Sequence, residues 1–204
     1  MSPESRCRVV LATRNPHKVT ELRRILTAAG LTDVELMSAE DLEVPDVAET
    51  GMTFAENAVL KATAVAAATA LPTIADDSGL SVDALGGMPG ILSARWSGRH
   101  GDDTANLALV LGQLADVPDD RRTAVFVCAA ALAVPGRPVI VEEGIVRGRL
   151  AREPRGTGGF GYDPIFIPDG ETRTTAELPS AEKDAISHRG RAFRALAPHL
   201  RELT

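Results

Sequence analysis

The chain has few aromatic residues and no basic stretch, and both shortages exclude classes of partner. It contains five Phe, one Trp and one Tyr among 204 residues, with 22 Lys and Arg against 28 Asp and Glu. Nucleic-acid binding normally requires a basic surface, and single strands also need aromatic platforms. The sequence therefore argues against a nucleic-acid partner, although a local group of Lys and Arg would still suffice for a small anionic ligand.

Cysteine and long apolar runs are also scarce. Cys7 and Cys128 lie in apolar segments without the spacing of a metal site, so we interpret them as thiols of a reducing compartment. The first residues lack the apolar core of a secretion signal. The apolar run at 124–134 is too short to span a bilayer. We expect a cytoplasmic protein with no membrane partner.

The composition is that of a globular domain, and its apolar periodicity predicts an α/β fold. Apolar residues make up 44% of the chain, and no repeat or linker divides it, so we predict a single domain over 1–204. Alternation of strand and helix patterns, followed by a hairpin, indicates a mixed sheet with flanking helices. The predicted strands are 8–12, 34–37, 72–76, 122–134 and 139–151, with a short one after the glycine-rich loop at 156–164. The predicted helices begin after 13–18 and at a Thr53–Glu56 capping box, and cover 102–115 and 180–203.

The segment "TRNPHK" lies between the first strand and the first helix. Its residues are Thr13, Arg14, Asn15, Pro16, His17 and Lys18. Free N–H groups at a helix start favour an anion, and Lys18 would add a charge in the first turn. The glycine spacing of a P-loop is missing. The alternative is an Asn-Pro turn that caps the helix, with Lys18 in solvent.

Two further groups of polar residues follow. Thr53, Asn57 and Lys61 share one face of the second helix, which is otherwise largely apolar, and Glu49 precedes it. Such a stripe is also typical of the solvated face of a helix. Asp76 and Asp77 follow an apolar run, and we predict that they end a strand, with one facing a site and the other bracing the loop.

Glu49 and Asp77 together offer the oxygen ligands that Mg²⁺ prefers. The alternative for the aspartate pair is an Asx turn after the strand.

The last two groups resemble a pocket for a nucleobase. "GTGGFGYDP" places Phe160 and Tyr162 among four glycines, which allow a flat ligand to approach the backbone, and Asp163 could accept from a base N–H. Lys183, His188 and Arg189 cluster donors near a helix start. The alternatives are a flexible connection with buried aromatics and an ordinary helix cap.

The sequence resembles the non-standard purine nucleoside triphosphate pyrophosphatases, the family that hydrolyses dITP, ITP and XTP. The motifs that carry the resemblance are "LATRNPHKVTEL", "ETGMTFAENAVLKA", "IADDSGLSVDALGGMPGILSARW", "GTGGFGYDPIF" and "EKDAISHRGRA". The resemblance implies an elongated mixed sheet with flanking helices, two lobes with a central active-site cleft, a homodimer and dependence on Mg²⁺.

The resemblance also implies roles for individual residues. Residues 13–18 would hold the triphosphate, with Lys18 and Lys61 as catalytic cations. Asp77 would be the general base and a metal ligand, with Glu49 as the second metal carboxylate. The residues that would bind the nucleotide are Ser78, Phe160, Gly161, Tyr162, Asp163, Lys183, His188 and Arg189.

Three other functions remain open from the sequence. A haloacid-dehalogenase-type phosphatase needs a D-x-D motif after the first strand, where this chain has "TRNPHK". A pyrophosphatase for modified pyrimidine nucleotides would share the fold type and differ in its pocket. A non-catalytic nucleotide-binding module would keep the base pocket without metal carboxylates. For a purine substrate, the donor that recognises the 6-oxo group could be Arg189, His188 or a backbone N–H.

Overall fold

Strands and helices alternate along the chain much as the apolar periodicity predicts. The computed structural model describes residues 7–39, 41–42, 44 and 46–203. The strands of this described part are β1 (Cys7–Leu11), β2 (Val34–Ser38), β3 (Thr73–Val82), β4 (Thr123–Ala133), β5 (Ile140–Leu150) and β6 (Phe166–Pro168). Its α-helices are α1 (Pro16–Ala28), α2 (Phe54–Thr69), α3 (Asp103–Gln113), α4 (Ser180–Ile186) and α5 (His188–Arg201). Short 3₁₀ turns cover Asp83–Leu85, Gly90–Arg95 and Asp119–Arg121.

The described strands form a six-stranded mixed sheet with the order β2-β1-β3-β4-β5-β6. β1 pairs in parallel with both β2 and β3, whereas β5 and β6 are antiparallel. The predicted mixed α/β sheet with flanking helices is therefore confirmed.

The predicted end of the third strand is wrong. The sequence places Asp76 and Asp77 at the carboxyl end of a strand over 72–76, but β3 continues to Val82. Both aspartates are thus inside a ten-residue strand, and the Asx turn considered as the alternative is not formed. The cause is charge compensation, because basic side chains pair with each carboxylate and allow the strand to continue through them.

The described residues divide into two compact units, which we describe separately. Unit 1 comprises those within Met1–Asp77, Ala129–Gly144 and Arg189–Thr204, and unit 2 those within Ser78–Cys128 and Ile145–His188. The sequence-based assignment of a single domain stays a prediction.

The core of unit 1 is rich in alanine. Helix α2 contributes Ala58, Ala62, Val65 and Ala66, and the strands contribute further small side chains such as Ala75 and Ala131. Small side chains allow a helix backbone to approach a sheet closely, and short polar groups on that helix then reach the strand. Asn57 on α2 is fully buried for this reason.

The core of unit 2 contains larger side chains and a buried guanidinium. Leu80, Leu107, Phe126 and Phe166 are among its members. Arg122 is 2% exposed, and its nitrogens donate to three carbonyls, of Leu114 at 2.7 Å, Ala151 at 2.9 Å and Leu150 at 3.1 Å. A buried charge that satisfies its donors in this way joins the end of α3 to the end of β5.

Candidate active site

The loop before α1 is closed by its own hydrogen bonds. The Asn15 side chain caps the helix, with its Oδ1 accepting from the backbone N–H of His17 at 2.9 Å and of Lys18 at 3.3 Å. Thr13 Oγ1 accepts from Asn15 N at 3.2 Å. Arg14 donates to the Val44 carbonyl at 2.6 Å and pairs with Asp46 at 2.7 Å. Pro16 opens the helix without an N–H, as is common at this position.

The capping turn that the sequence offered as an alternative is thus present in this loop. A role of residues 13–18 in holding a triphosphate stays a prediction. Lys18, however, does not point only to solvent, because its ammonium group pairs with a carboxylate of β3.

Asp76 is the buried centre of one ion-pair network in unit 1. Its Oδ2 accepts from Lys18 Nζ at 2.9 Å and from Arg189 Nε at 3.4 Å, and the Arg189 guanidinium also pairs with Glu21 of α1. Burial alone would raise the pKa of Asp76, but the charges of Lys18, Arg189 and Lys61 outweigh it and hold that pKa well below its ordinary value. Asp76 is therefore a fixed anion that orients two cations.

Asp77 belongs to a second group in unit 1. Asn57 Nδ2 donates to Asp77 Oδ2 at 3.1 Å, and Lys61 Nζ lies 3.4 Å from Asp77 Oδ1 and 2.7 Å from Glu49 Oε1. Helix α2 supplies both Asn57 and Lys61, so the structure joins the polar stripe of this helix to the aspartate and to the glutamate before it. The solvated-face alternative is therefore wrong for Asn57 and Lys61.

The pKa of Asp77 shifts in the opposite direction to that of Asp76. Burial raises it, and Glu49 adds to the rise, while Lys61, Lys18 and the Asn57 hydrogen bond oppose it. Burial alone would lower the pKa of Lys61, but the charges of Asp77, Asp76 and Glu49 outweigh it and raise that pKa. Asp77 is thus the more basic of the two aspartates, as a proton acceptor should be.

The donor set around Lys61 fits a hard divalent cation. Glu49 and Asp77 both turn carboxylate oxygens towards the same small space, where the Lys61 ammonium group lies 2.7 Å from Glu49 Oε1 and 3.4 Å from Asp77 Oδ1. The described residues contain no group of three or more His, Cys, Asp or Glu side chains placed to hold a metal ion. A cation here would take its other ligands from water and substrate, as Mg²⁺ usually does.

The glycine-rich loop of unit 2 is organised by Asp163. Its Oδ2 accepts from Phe160 N at 2.8 Å and from Lys183 Nζ at 2.7 Å, and its Oδ1 accepts from Thr175 Oγ1 at 2.8 Å. Asp163 is 3% exposed. These internal bonds occupy both oxygens of the carboxylate that the sequence analysis offered to a base N–H.

The ring of Phe160 is partly exposed, and Lys183 Nζ lies 5.3 Å from its centre. The Tyr162 hydroxyl is buried and donates to the Ser93 carbonyl at 2.8 Å, and burial raises its pKa. Gly161 N donates to Asp103 at 2.8 Å. The loop is therefore tethered at three consecutive residues, through the backbone N–H groups of Phe160 and Gly161 and through the hydroxyl of Tyr162.

His188 stacks on Phe126 in unit 2. The ring centres are 4.6 Å apart and the planes differ by 8°. Ser78, the first residue of unit 2, lies within β3 and is half-buried. The structure assigns Arg189 to the Asp76 network of unit 1 and Lys183 and His188 to unit 2. The nucleotide-binding roles of these residues stay predictions.

Three residues of this arrangement were not identified as site residues from the sequence. Glu21 reaches Arg189 across 168 positions, and no local pattern could show that pairing. Asn57 was visible only as part of a helix stripe. Asp76 was given no site role, and its two cations come from distant segments.

The chain matches known proteins in sequence and in structure. The Ham1 family profile matches residues 9–199. The dITP/XTP pyrophosphatase of Streptomyces coelicolor is 62% identical over 197 residues, which are 96% of this chain and 98% of that protein. The dITP/XTP pyrophosphatase of Mycobacterium bovis is 57% identical over 197 residues, with 96% of each chain covered. The solved structure of a HAM1 protein from Coxiella burnetii has a TM-score of 0.86 and 41% identity, and covers 96% of this chain and 99% of that chain.

These matches extend over nearly the whole chain. The protein belongs to the Ham1 family, and the family resemblance inferred from the motifs is confirmed. Among the described residues, no helix is long and apolar enough to cross a membrane.

Proposed function

We propose that this protein hydrolyses non-standard purine nucleoside triphosphates, namely dITP, ITP and XTP, to the monophosphate and pyrophosphate. Its cellular role would be to keep deaminated purines out of DNA and RNA. The proposal is supported by family membership and by relatives of 62% and 57% identity that carry the name dITP/XTP pyrophosphatase. We also propose a homodimer, as the family resemblance implies, a cytoplasmic location, as the sequence suggests, and a purine nucleotide as the small-molecule partner.

The observation that carries the proposal is the pair of carboxylates around Lys61. Asp77 has a raised pKa because it is buried, and it lies in β3, where Asn57 fixes one of its oxygens. Its other oxygen faces Lys61. A carboxylate that is rigidly held and more basic than usual suits general-base chemistry.

The charges of unit 1 support a cation dependence. Lys18, Lys61 and Arg189 are balanced by four carboxylates, of Glu21, Glu49, Asp76 and Asp77. These seven side chains therefore carry one net negative charge, which would repel a triphosphate. A divalent cation reverses that sign, and we propose that Glu49 and Asp77 hold Mg²⁺. When bound, Mg²⁺ supplies positive charge that neutralises the phosphate oxygens.

The proposed roles of the side chains follow from their positions. Asp77 accepts a proton from a water whose oxygen attacks the α-phosphorus. A bond forms between that oxygen and phosphorus, the bond to the bridging oxygen breaks, and pyrophosphate leaves with the bridging oxygen. Lys18 and Lys61 stabilise the charge on the phosphate chain, with residues 13–17 beside them. Positioning and charge stabilisation provide most of the rate enhancement in reactions of this kind.

Base recognition is proposed for unit 2. The ring of Phe160, with Lys183 Nζ 5.3 Å from its centre, would contact the base. Backbone groups of Gly161 and Tyr162, with Ser78 and His188, complete the proposed set, and Asp163 acts by holding the loop. Arg189 contributes to the site through its ion pair with Asp76. Rejection of ATP would depend on a donor facing the 6-position, because such a donor is left unpaired by a 6-amino group.

The test is the product pattern from ITP with Mg²⁺. We expect IMP and pyrophosphate as products, a result that excludes both a phosphatase and a non-catalytic binding module. We also expect a low rate of hydrolysis of modified pyrimidine nucleotides. The variant Asp77→Asn should fold and lose turnover by roughly 10² or more, as loss of a general base does. Release of IDP and phosphate, or normal turnover by folded Asp77→Asn, would contradict the proposal.

A further inference from the structure

Lys61 lies where a cation would bind. Its Nζ is 2.7 Å from Glu49 Oε1 and 3.4 Å from Asp77 Oδ1, so one ammonium group contacts both carboxylates. The side chain of Lys61 is 14% exposed, and those of Glu49 and Asp77 are 23% and 10% exposed. In such partly desolvated surroundings, opposite charges interact more strongly than at an open surface.

The carboxylate of Asp77 is held in place independently of Lys61. Asn57 Nδ2 donates to Asp77 Oδ2 at 3.1 Å, and Asn57 Oδ1 accepts from Gly51 N at 2.8 Å, so both ends of the amide are fixed. A Cβ at position 51 would lie 2.7 Å from Asn57 Oδ1, which explains the glycine there. Consequently Asp77 Oδ1 stays in place when the lysine moves away.

A divalent cation and the ammonium group compete for the same oxygens. Both need Glu49 and Asp77 Oδ1, and their like charges repel strongly at this spacing. Lysine has a long flexible stem with a single charged end, so the ammonium can leave while its backbone stays in α2. A phosphate chain bound nearby is the natural new partner for the displaced charge.

We propose that Lys61 is an internal counter-ion of the carboxylate pair, which a divalent cation displaces and thereby releases for the phosphate chain. This inference rests on the proposed function and deepens it. Lys61 weakens binding of the cation alone, and the cation makes Lys61 available to phosphate. By thermodynamic linkage, the phosphate chain in turn strengthens binding of the cation. The protein thus selects the complex of nucleotide and metal over either component.

Lys18 provides a matched control. It is a lysine of the same unit, its side chain is 15% exposed, and it lies 2.9 Å from a carboxylate of the same strand. Asp76 also accepts from Arg189, however, and it is not one of the carboxylates that face Lys61 at hydrogen-bond distance. Removal of the Lys18 charge therefore leaves Glu49 and Asp77 in their pairing with Lys61.

The experiment measures binding of Mn²⁺ alone, without nucleotide, by electron paramagnetic resonance. Mn²⁺ is the probe because it shares the preference of Mg²⁺ for oxygen ligands. We expect Lys61→Met to bind Mn²⁺ about tenfold more tightly than the wild type, within the usual range of coupling between sites. Lys18→Met should show a much smaller gain than Lys61→Met, because Lys18 acts on Asp77 only beyond ion-pair distance. Lys61→Arg, which keeps the charge, should show no gain.

Two further variants keep the result decisive. The double variant Glu49→Gln/Lys61→Met should lose the gain, which locates the cation at the pair. If Lys61→Met fails to fold by circular dichroism, Lys61→Gln replaces it. Equal Mn²⁺ affinity of the wild type and a folded charge-free variant would overturn the inference. The proposed function is tested separately, because it would fail if the wild type released no pyrophosphate from ITP with Mg²⁺.

Discussion

Asp76 and Asp77 are adjacent in β3, yet the protein shifts their pKa values in opposite directions. Burial favours the neutral form of both. For Asp76 the cations Lys18 and Arg189 exceed that effect, whereas Asp77 has one lysine at ion-pair distance and shares it with Glu49. The number of cations available to each carboxylate therefore separates a structural anion from a candidate base.

This difference predicts opposite effects of two matched substitutions on stability. Asp76 has a lowered pKa in the folded protein, so its ionisation stabilises the fold above the ordinary value of 3.8 and that stability is lost as the pH falls through the folded pKa. Asp76→Asn should therefore lower the free energy of unfolding at pH 7 by about 3 kcal/mol, as expected when one partner of a buried ion pair is removed. The deficit should shrink as the pH falls below 3.8.

Asp77 has a raised pKa in the folded protein, so the stability of its neutral form is fully present below 3.8 and is lost as the pH rises through the folded pKa. Asp77→Asn should therefore match the wild type in acid and be the more stable of the two at pH 7. Denaturant titrations of both variants from pH 7 down to pH 3 measure the two curves. A change in the free energy of unfolding at pH 7 that has the same sign in both variants would contradict the assignment of different roles to the two aspartates.

At the scale of elements, the glycine-rich loop before β6 depends on one close approach. Gly159 has φ +72°, and a Cβ there would lie 2.0 Å from Asp163 Oδ2. Gly161 has a similar φ of +60° but open space around its Cα. Both positions have a left-handed backbone that a residue with a Cβ would adopt only under strain, and only Gly159 also accommodates the carboxylate that holds Phe160 and Lys183.

Gly159→Ala and Gly161→Ala therefore form a matched pair of variants. Both should lose roughly 1–2 kcal/mol from the unfavourable backbone conformation. Gly159→Ala should in addition raise KM for ITP about tenfold, the effect of breaking one hydrogen bond to a charged group. Steady-state kinetics on both variants measure the difference. An equal KM for the two would mean that Asp163 does not position the loop for substrate.

Local patterns predicted most elements, since helix caps and apolar periodicity act over a few residues. The Asn15 cap begins α1, Thr53 Oγ1 accepts from Glu56 N at 3.1 Å, and Gly30 follows the end of α1 with φ +79°. Glu56 departs from the expected capping box, because it accepts from Met52 N at 2.6 Å. The end of β3 could not be predicted, since its two charges are tolerated only through distant partners.

The same limit applies to the site. The sequence placed Glu49 before the helix that carries Lys61 and paired Glu49 with Asp77 as metal ligands, and the structure brings all three residues together. Base recognition by Arg189 stays a prediction, and its pairing with Glu21 could not be foreseen because the two residues lie 168 positions apart. Pairings of this kind are fixed by tertiary structure and leave no trace in local spacing.

At the scale of the whole molecule, cation binding should be visible as stability. A ligand that binds only the folded state raises the free energy of unfolding by RT ln(1 + [L]/Kd). Mg²⁺ at about ten times its Kd should therefore add about 1.4 kcal/mol. Thermal unfolding of the wild type with Mg²⁺ and with a chelator measures the shift, and Glu49→Gln should abolish it. A shift that survives in Glu49→Gln would place the cation elsewhere.

The course of β3 between β1 and β4 has a consequence for amide hydrogen exchange. Interior strands usually open only when the protein unfolds globally, so the peptide groups of Thr73 and Ile74, where β3 pairs with β1, should be among the slowest to take up deuterium. Motion during catalysis then falls to side-chain rotation, above all of Lys61. The site thus combines a strand that is nearly static on the timescale of turnover with one long side chain that can change its partner.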